Sequence, residues 1–220
     1  MTFRNIYAIP GWGFKSSVFK QPLIRKLDYY QLSFDKLEDY AHFLVSQLED
    51  NATLIGWSFG GLIAIKITSL YPNKVKKLLL ITSQPCFVES PNWQGIDQTY
   101  LNIFLKSFSK YPLETLEEFL KLVAFPTKNP EFYKYLKSHL APVEKTNLKK
   151  QLNILKETDL KNEYKSLKCE IVHLMGKHDH VLKQNEKQLK SLNPLAQTIF
   201  LKERGHAGFL LSKTLKELLC

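Results

Sequence analysis

A chain of 220 residues with 44% hydrophobic and 24% charged residues is long enough for one sizeable core and short for two independent domains, and no repeat or low-complexity tract divides it. Its formal charge of +10 comes from 28 Lys and 3 Arg set against 21 acids; the lysines are scattered and no Arg-rich stripe or recognised motif accompanies them, which argues against nucleic acid and leaves a solvated surface or attraction to an acidic partner. No apolar segment approaches the ~20 residues that span a bilayer, and the N-terminus lacks the basic-then-apolar order of a signal peptide, so a cytoplasmic location with no membrane partner is expected.

In chain order, Arg4 to Ile9, Thr53 to Ile55, Lys77 to Thr82, Ile171 to Met175 and Thr198 to Leu201 are short runs apolar on both faces, the signature of strands in a buried parallel sheet. Asp28 to Phe34 is left to supply one more. Helical spacing runs through Leu37, Tyr40, Ala41, Leu44, Val45 and Leu48, with Asp35 and Glu38 spaced as a capping pair at its start. Further helices are expected over Leu62 to Leu70, Lys183 to Leu192 and Phe209 to Leu219. Strand and helix thus alternate, the α/β pattern. From Trp93 to Lys165 the alternation stops, and helical stretches near Thr99 to Lys110, Leu113 to Val123, Pro130 to Leu140 and Asn147 to Thr158 are punctuated by prolines. The expectation is one α/β core, residues 1–92 and 166–220, with an inserted helical cap over 93–165 at the sheet's carboxyl edge, where open α/β folds bind ligands.

Gly56-Trp57-Ser58-Phe59-Gly60 places a serine between a strand and a helix, the pattern of a nucleophile elbow. A serine hydroxyl needs a base within hydrogen-bond reach and a third group that orients the base. In this fold they follow in the order acid, then histidine. Asp179 and His206 lie just after the fourth and fifth apolar runs, on the same rim as Ser58. His42 falls in a helix, His139 in the cap and His173 inside a strand, all poorly placed as the base. His178 and His180 flank Asp179, and a metal site is the alternative there; no further ligand cluster accompanies them, so neither metal nor cofactor is expected. Two backbone N–H groups should stabilise the oxyanion: that of Phe59, at a helix N-terminus, and that of Trp12 in the turn after the first strand. Cys86, Cys169 and Cys220 are odd in number and far apart, which favours free thiols over a disulfide framework or zinc site.

The chain resembles the α/β-hydrolase family, and within it the BioH-type pimeloyl-[acyl-carrier protein] methyl ester esterases of biotin synthesis. The resemblance spans nearly the whole chain. It rests on GWG after the first strand, GWSFGG at the elbow, SQPCF followed by NWQGI, LNILKETDL before the last third, and the positions of Asp179 and His206. It implies a serine carboxylesterase that demethylates a pimeloyl chain held on acyl-carrier protein through an acyl-Ser58 intermediate. Five methylenes buried at ~0.8 kcal/mol each would contribute about 4 kcal/mol to holding that chain. Phe104 and Phe119 match aromatic positions of the family's acyl pocket, with Trp12 beside them; ordinary packing remains the alternative for all three. The carrier is acidic, yet residues 93–165 hold twelve Lys, no Arg and nine acids, so Lys121, Lys128, Lys134 and Lys137 are carrier-contact candidates by location only.

The sequence departs from the family in Pro10-Gly11 where His-Gly is usual, and in opening almost directly at an inner strand, so trimmed edge strands are expected. Two rivals stay open. A carboxylesterase or thioesterase acting on small acyl esters would share every catalytic residue, and a non-catalytic basic binding module would use none of them.

Overall fold

The computed structural model describes residues 5–142, 144–213, 215 and 217. Six strands form one sheet in the order β2-β1-β3-β4-β5-β6, and every pairing is parallel. They are β1 (Ile6–Ile9), β2 (Arg25–Lys26), β3 (Ala52–Trp57), β4 (Val75–Ile81), β5 (Glu170–Gly176) and β6 (Ala196–Leu201). The central strands read as unbroken apolar runs because both faces are covered. Leu54, Leu78, Leu80 and Ile171 point into one core layer, whereas Ile55, Leu79, Ile81, Val172 and Leu174 point into the other. That period of two is the pleat itself.

Helices α1 (Leu37–Val45) and α2 (Phe59–Leu70) follow β2 and β3, and α2 is so deeply set that every residue from Phe59 to Thr68 is buried. Among these is Lys66, whose ammonium is held by Glu38 at 2.8 Å and Glu163 at 2.9 Å. Between β4 and β5 come α3 (Gln98–Lys110), α4 (Pro112–Ala124), α5 (Pro130–Ser138), α6 (Lys145–Glu157) and α7 (Lys161–Ser166); α8 (Glu186–Leu192) joins β5 to β6. Three helix starts, those of α3, α5 and α8, are marked by side chains that accept orphan N–H groups: Asp97 for Tyr100, Asn129 for Glu131, and Asn185 for Gln188. The strand order reverses between β1 and β3, so a crevice opens where the turn after β1 meets the turn after β3. Ligands bind at such switch points.

Three expectations change. No strand forms over Asp28 to Phe34; the edge strand is Arg25–Lys26, paired with Tyr7 and Ala8. Asp28 is instead occupied by Ser16, whose N–H and hydroxyl both donate to its carboxylate at 2.6 and 2.7 Å. Asp35 and Glu38 do not cap α1, which starts after Lys36 with no side-chain cap. Their carboxylates reach to other elements, Asp35 to Lys150 and Glu38 to Lys66. Phe209 to Leu219 opens as a 3-10 turn over Gly208–Leu211, and half of its remainder, like Cys220, lies outside the described residues. Among the described residues, no helix is long and apolar enough to cross a membrane.

Candidate active site

Ser58 sits between β3 and α2 with φ 53° and ψ −123°, a region L-residues rarely occupy. The turn is sharp because helix and strand nearly touch. A Cβ on Gly56 would lie 2.5 Å from Gly61 Cα, and one on Gly60 would lie 2.4 Å from the Pro10 carbonyl oxygen. Only glycine permits either approach. The Ser58 N–H donates to the Ile81 carbonyl at 3.0 Å, and the Ser83 hydroxyl donates to the Ser58 carbonyl at 2.8 Å.

Asp179 lies in the loop after β5, where one carboxylate oxygen accepts the N–H groups of Val181 (2.8 Å) and Leu182 (3.0 Å). The other is 2.9 Å from His206 Nδ1, in a pair whose side chains are almost fully buried. A carboxylate only accepts, so Nδ1 carries the hydrogen and Nε2 is left as the basic nitrogen. His206 Nε2 is buried without a hydrogen-bond partner. The His206 carbonyl is fixed by two donors, the Trp57 indole at 3.1 Å and the Thr82 hydroxyl at 3.0 Å. The histidine loop is therefore tied to the residue that precedes Ser58. An imidazole so oriented, on a loop tied to the residue before Ser58, is equipped to act as a base for the Ser58 hydroxyl, which lines the cavity.

The N–H groups of Trp12 and Phe59 have no acceptor among the described residues, as groups reserved for an oxyanion require. The Trp12 indole donates to the Leu148 carbonyl of α6 at 3.0 Å and packs edge-on against Phe104, Phe108 and Phe119. Trp12, Phe104 and Phe119 line a cavity of about 50 Å³ beside Ser58, with Leu122, Leu152 and His180 among its other walls. A groove of about 440 Å³ between α3 and α4 shares Tyr100, Phe104, Phe119 and Leu122 with that cavity. The SQPCF and NWQGI stretches form the wall opposite: Gln84 donates to the Cys86 and Gln94 carbonyls, the Trp93 indole to Cys86, and Phe87 and Ile96 face the cavity.

The four lysines lie apart from this cavity. Lys121 pairs with Glu118, Lys134 with Glu131 and Lys137 with Glu117, while Lys128 has no ion-pair partner among the described residues. His178 approaches Glu203 at 3.7 Å and His180 stacks on Phe125. No group of three metal-ligating side chains gathers among the described residues. Sequence reasoning missed Trp57 and Thr82 as supports of His206. Their signal was faint: Trp57 reads as part of the elbow, and Thr82 as the last residue of a strand.

The sequence description of the alpha/beta hydrolase fold matches residues 15–213. A pimeloyl-[acyl-carrier protein] methyl ester esterase from Wigglesworthia glossinidia brevipalpis is 30% identical, over 94% of this chain and 88% of its own; one from Shewanella woodyi is 29% identical with the same coverage. Among solved structures, an esterase from Exiguobacterium antarcticum superposes with a TM-score of 0.86 at 19% identity, over 97% of this chain and 91% of that one. A bromoperoxidase from Bacillus anthracis reaches 0.82 at 16% identity, over 98% and 90%. Sequence match and fold agree, and the chain belongs to the alpha/beta hydrolase family.

Proposed function

We propose that the protein is a serine carboxylesterase that hydrolyses the methyl ester of a pimeloyl chain carried on acyl-carrier protein. The observation that carries the chemistry is the buried Asp179–His206 pair, with a free Nε2, hydrogen-bonded through the His206 carbonyl to the elbow of Ser58. Ser58 Oγ attacks the ester carbonyl as His206 takes its proton, and the N–H groups of Trp12 and Phe59 hold the oxyanion. His206 then protonates the departing methanol. Water, deprotonated by the same nitrogen, attacks the acyl-enzyme and releases the carboxylate. Asp179 keeps the imidazole in one tautomer and stabilises its cation.

The substrate reading draws on the named relatives and on the shape of the site. The cavity has room for roughly four water-sized groups at 10–15 Å³ each, so a chain of five methylenes fills it and continues into the α3–α4 groove. In this reading residues 93–165 act as the cap that covers the chain, residues 1–92 and 166–220 are the core, and the carrier stays outside. A small-ester carboxylesterase is the second reading, favoured by the carboxylates already paired with three of the four cap lysines.

Mass-resolved conversion of pimeloyl-acyl-carrier-protein methyl ester tests this, with Ser58→Ala alongside and a short-chain ester as competitor. Demethylation by the wild type alone is the expected result. Cleavage of only the short ester would leave the triad standing and replace the substrate, and turnover by Ser58→Ala would remove the mechanism.

A further inference from the structure

One helix touches both the cavity and the loop that carries His206. Phe119 and Leu122 of α4 line the cavity beside Ser58. At the end of the same helix, the Val123 carbonyl accepts the Ala207 N–H at 3.2 Å. The Phe125 carbonyl lies against Gly205, where a Cβ would stand 1.9 Å from it. Phe125, a residue 39% exposed, stacks its ring on the His180 imidazole with 4.0 Å between centroids and 29° between planes. His180 directly follows Asp179, and the His178 N–H donates to the Arg204 carbonyl at 2.9 Å. The loops holding the carboxylate and the imidazole are thus fastened to each other and to the end of α4.

We propose that Phe125 and His180 are positioning residues, whose stack holds α4 against the Asp179 and His206 loops so that an acyl chain pressing on Phe119 and Leu122 steadies the imidazole. Turnover, and not binding alone, then rises with acyl-chain length. The inference rests on Ser58, His206 and Asp179 being catalytic, and deepens that reading. The physical basis is general: contacts far from the reacting bond raise kcat when they are expressed as orientation, and a misplacement of about 1 Å costs ~10²-fold. His180 is otherwise unused by the reaction although it lines the cavity, and Phe125 keeps this contact while partly exposed.

The test is kcat and KM measured separately on p-nitrophenyl acetate and p-nitrophenyl hexanoate, using the full chain, with Tm recorded for every variant. In the wild type kcat should be higher on the hexanoate. Phe125→Ala should lower kcat on the hexanoate about tenfold with little change on the acetate and KM within about threefold, and His180→Ala, which also removes a wall of the cavity, should lower the hexanoate-to-acetate ratio of kcat by the same factor. The double alanine variant should be no worse than either single one. Phe125→Tyr and His180→Phe keep an aromatic stack and should restore the chain-length effect. Alanine variants that retain wild-type kcat on both esters would overturn the proposal. So would equal losses on both esters that follow Tm and are not restored by the aromatic replacements. Hydrolysis of both esters by Ser58→Ala would instead remove the catalytic reading beneath it.

Discussion

Ser58 carries its backbone strain whatever side chain it bears, short of glycine. A conformation of this kind costs on the order of 1–3 kcal/mol and is retained only where the surroundings enforce it; here they are the Ile81 carbonyl, the Ser83 hydroxyl and the crossing at Gly56. Ser58→Gly and Ser58→Ala should both be inactive, and the glycine variant should be the more stable by about 1 kcal/mol after its greater unfolded-state entropy is counted, which urea unfolding would measure. His173 shows the opposite use of a histidine. Its Nδ1 lies 3.2 Å from the Ser83 carbonyl and its Nε2 2.8 Å from the Tyr164 hydroxyl. A carbonyl only accepts, so Nδ1–H donates to it, Tyr164 donates to Nε2, and the ring is neutral. Complete burial lowers its pKa to about 4. Since the folded value is below the unfolded one, its contribution is present above pH 6.5 and is lost as pH falls towards 4. Between pH 7 and 4.5 the wild type should lose about 2 kcal/mol more than His173→Gln, read from urea midpoints at the two values. That His173 lies inside a buried strand was legible from its place in an apolar run. That it is a linchpin between β5 and α7 was not, because its partner Tyr164 belongs to a helix whose sequence, Lys161–Ser166, is too short and polar to announce itself.

Among the elements, the five longer strands could be read directly because a parallel sheet covered on both faces forces consecutive apolar residues, and the pattern leaves few alternatives. The two-residue β2 has no pattern to read: Arg25 and Lys26 are exposed, and what places them is pairing with β1, a tertiary fact. The same holds for the missing cap of α1. Asp35 and Glu38 have the right spacing, but long-range ion pairs with Lys150 and Lys66 recruit their carboxylates. The elbow was legible as a strained turn from strand to helix, and its glycines as packing. Gly60→Ala should therefore cost roughly 1–3 kcal/mol of stability, and the displaced partner is the Pro10 carbonyl in the turn that offers the Trp12 N–H. A fall in kcat beyond what the lost stability explains, in steady-state assays well below the variant's Tm, is the expected outcome.

For the molecule as a whole, a charge of +10 draws any acidic partner without saying where it docks. Local pairing sharpens the prediction. Charge reversal at Lys128 removes an uncompensated cation, whereas reversal at Lys121, Lys134 or Lys137 also leaves a glutamate facing a new glutamate. If the carrier uses this face, Lys128→Glu should raise KM for the carrier-linked ester severalfold at low salt and leave KM for a free short ester unchanged, with the difference fading as ionic strength grows. The tryptophans offer a different view of the same molecule. The Trp12 indole is bonded to Leu148 of α6, that of Trp57 to the His206 carbonyl, and that of Trp93 to Cys86 where the chain leaves the sheet for the helices. Each of these three indoles therefore reports from a separate joint. Variants retaining one tryptophan at a time would convert the protein's own ultraviolet fluorescence into three independent optical gauges, able to time the joints against one another during a single turnover without any attached dye.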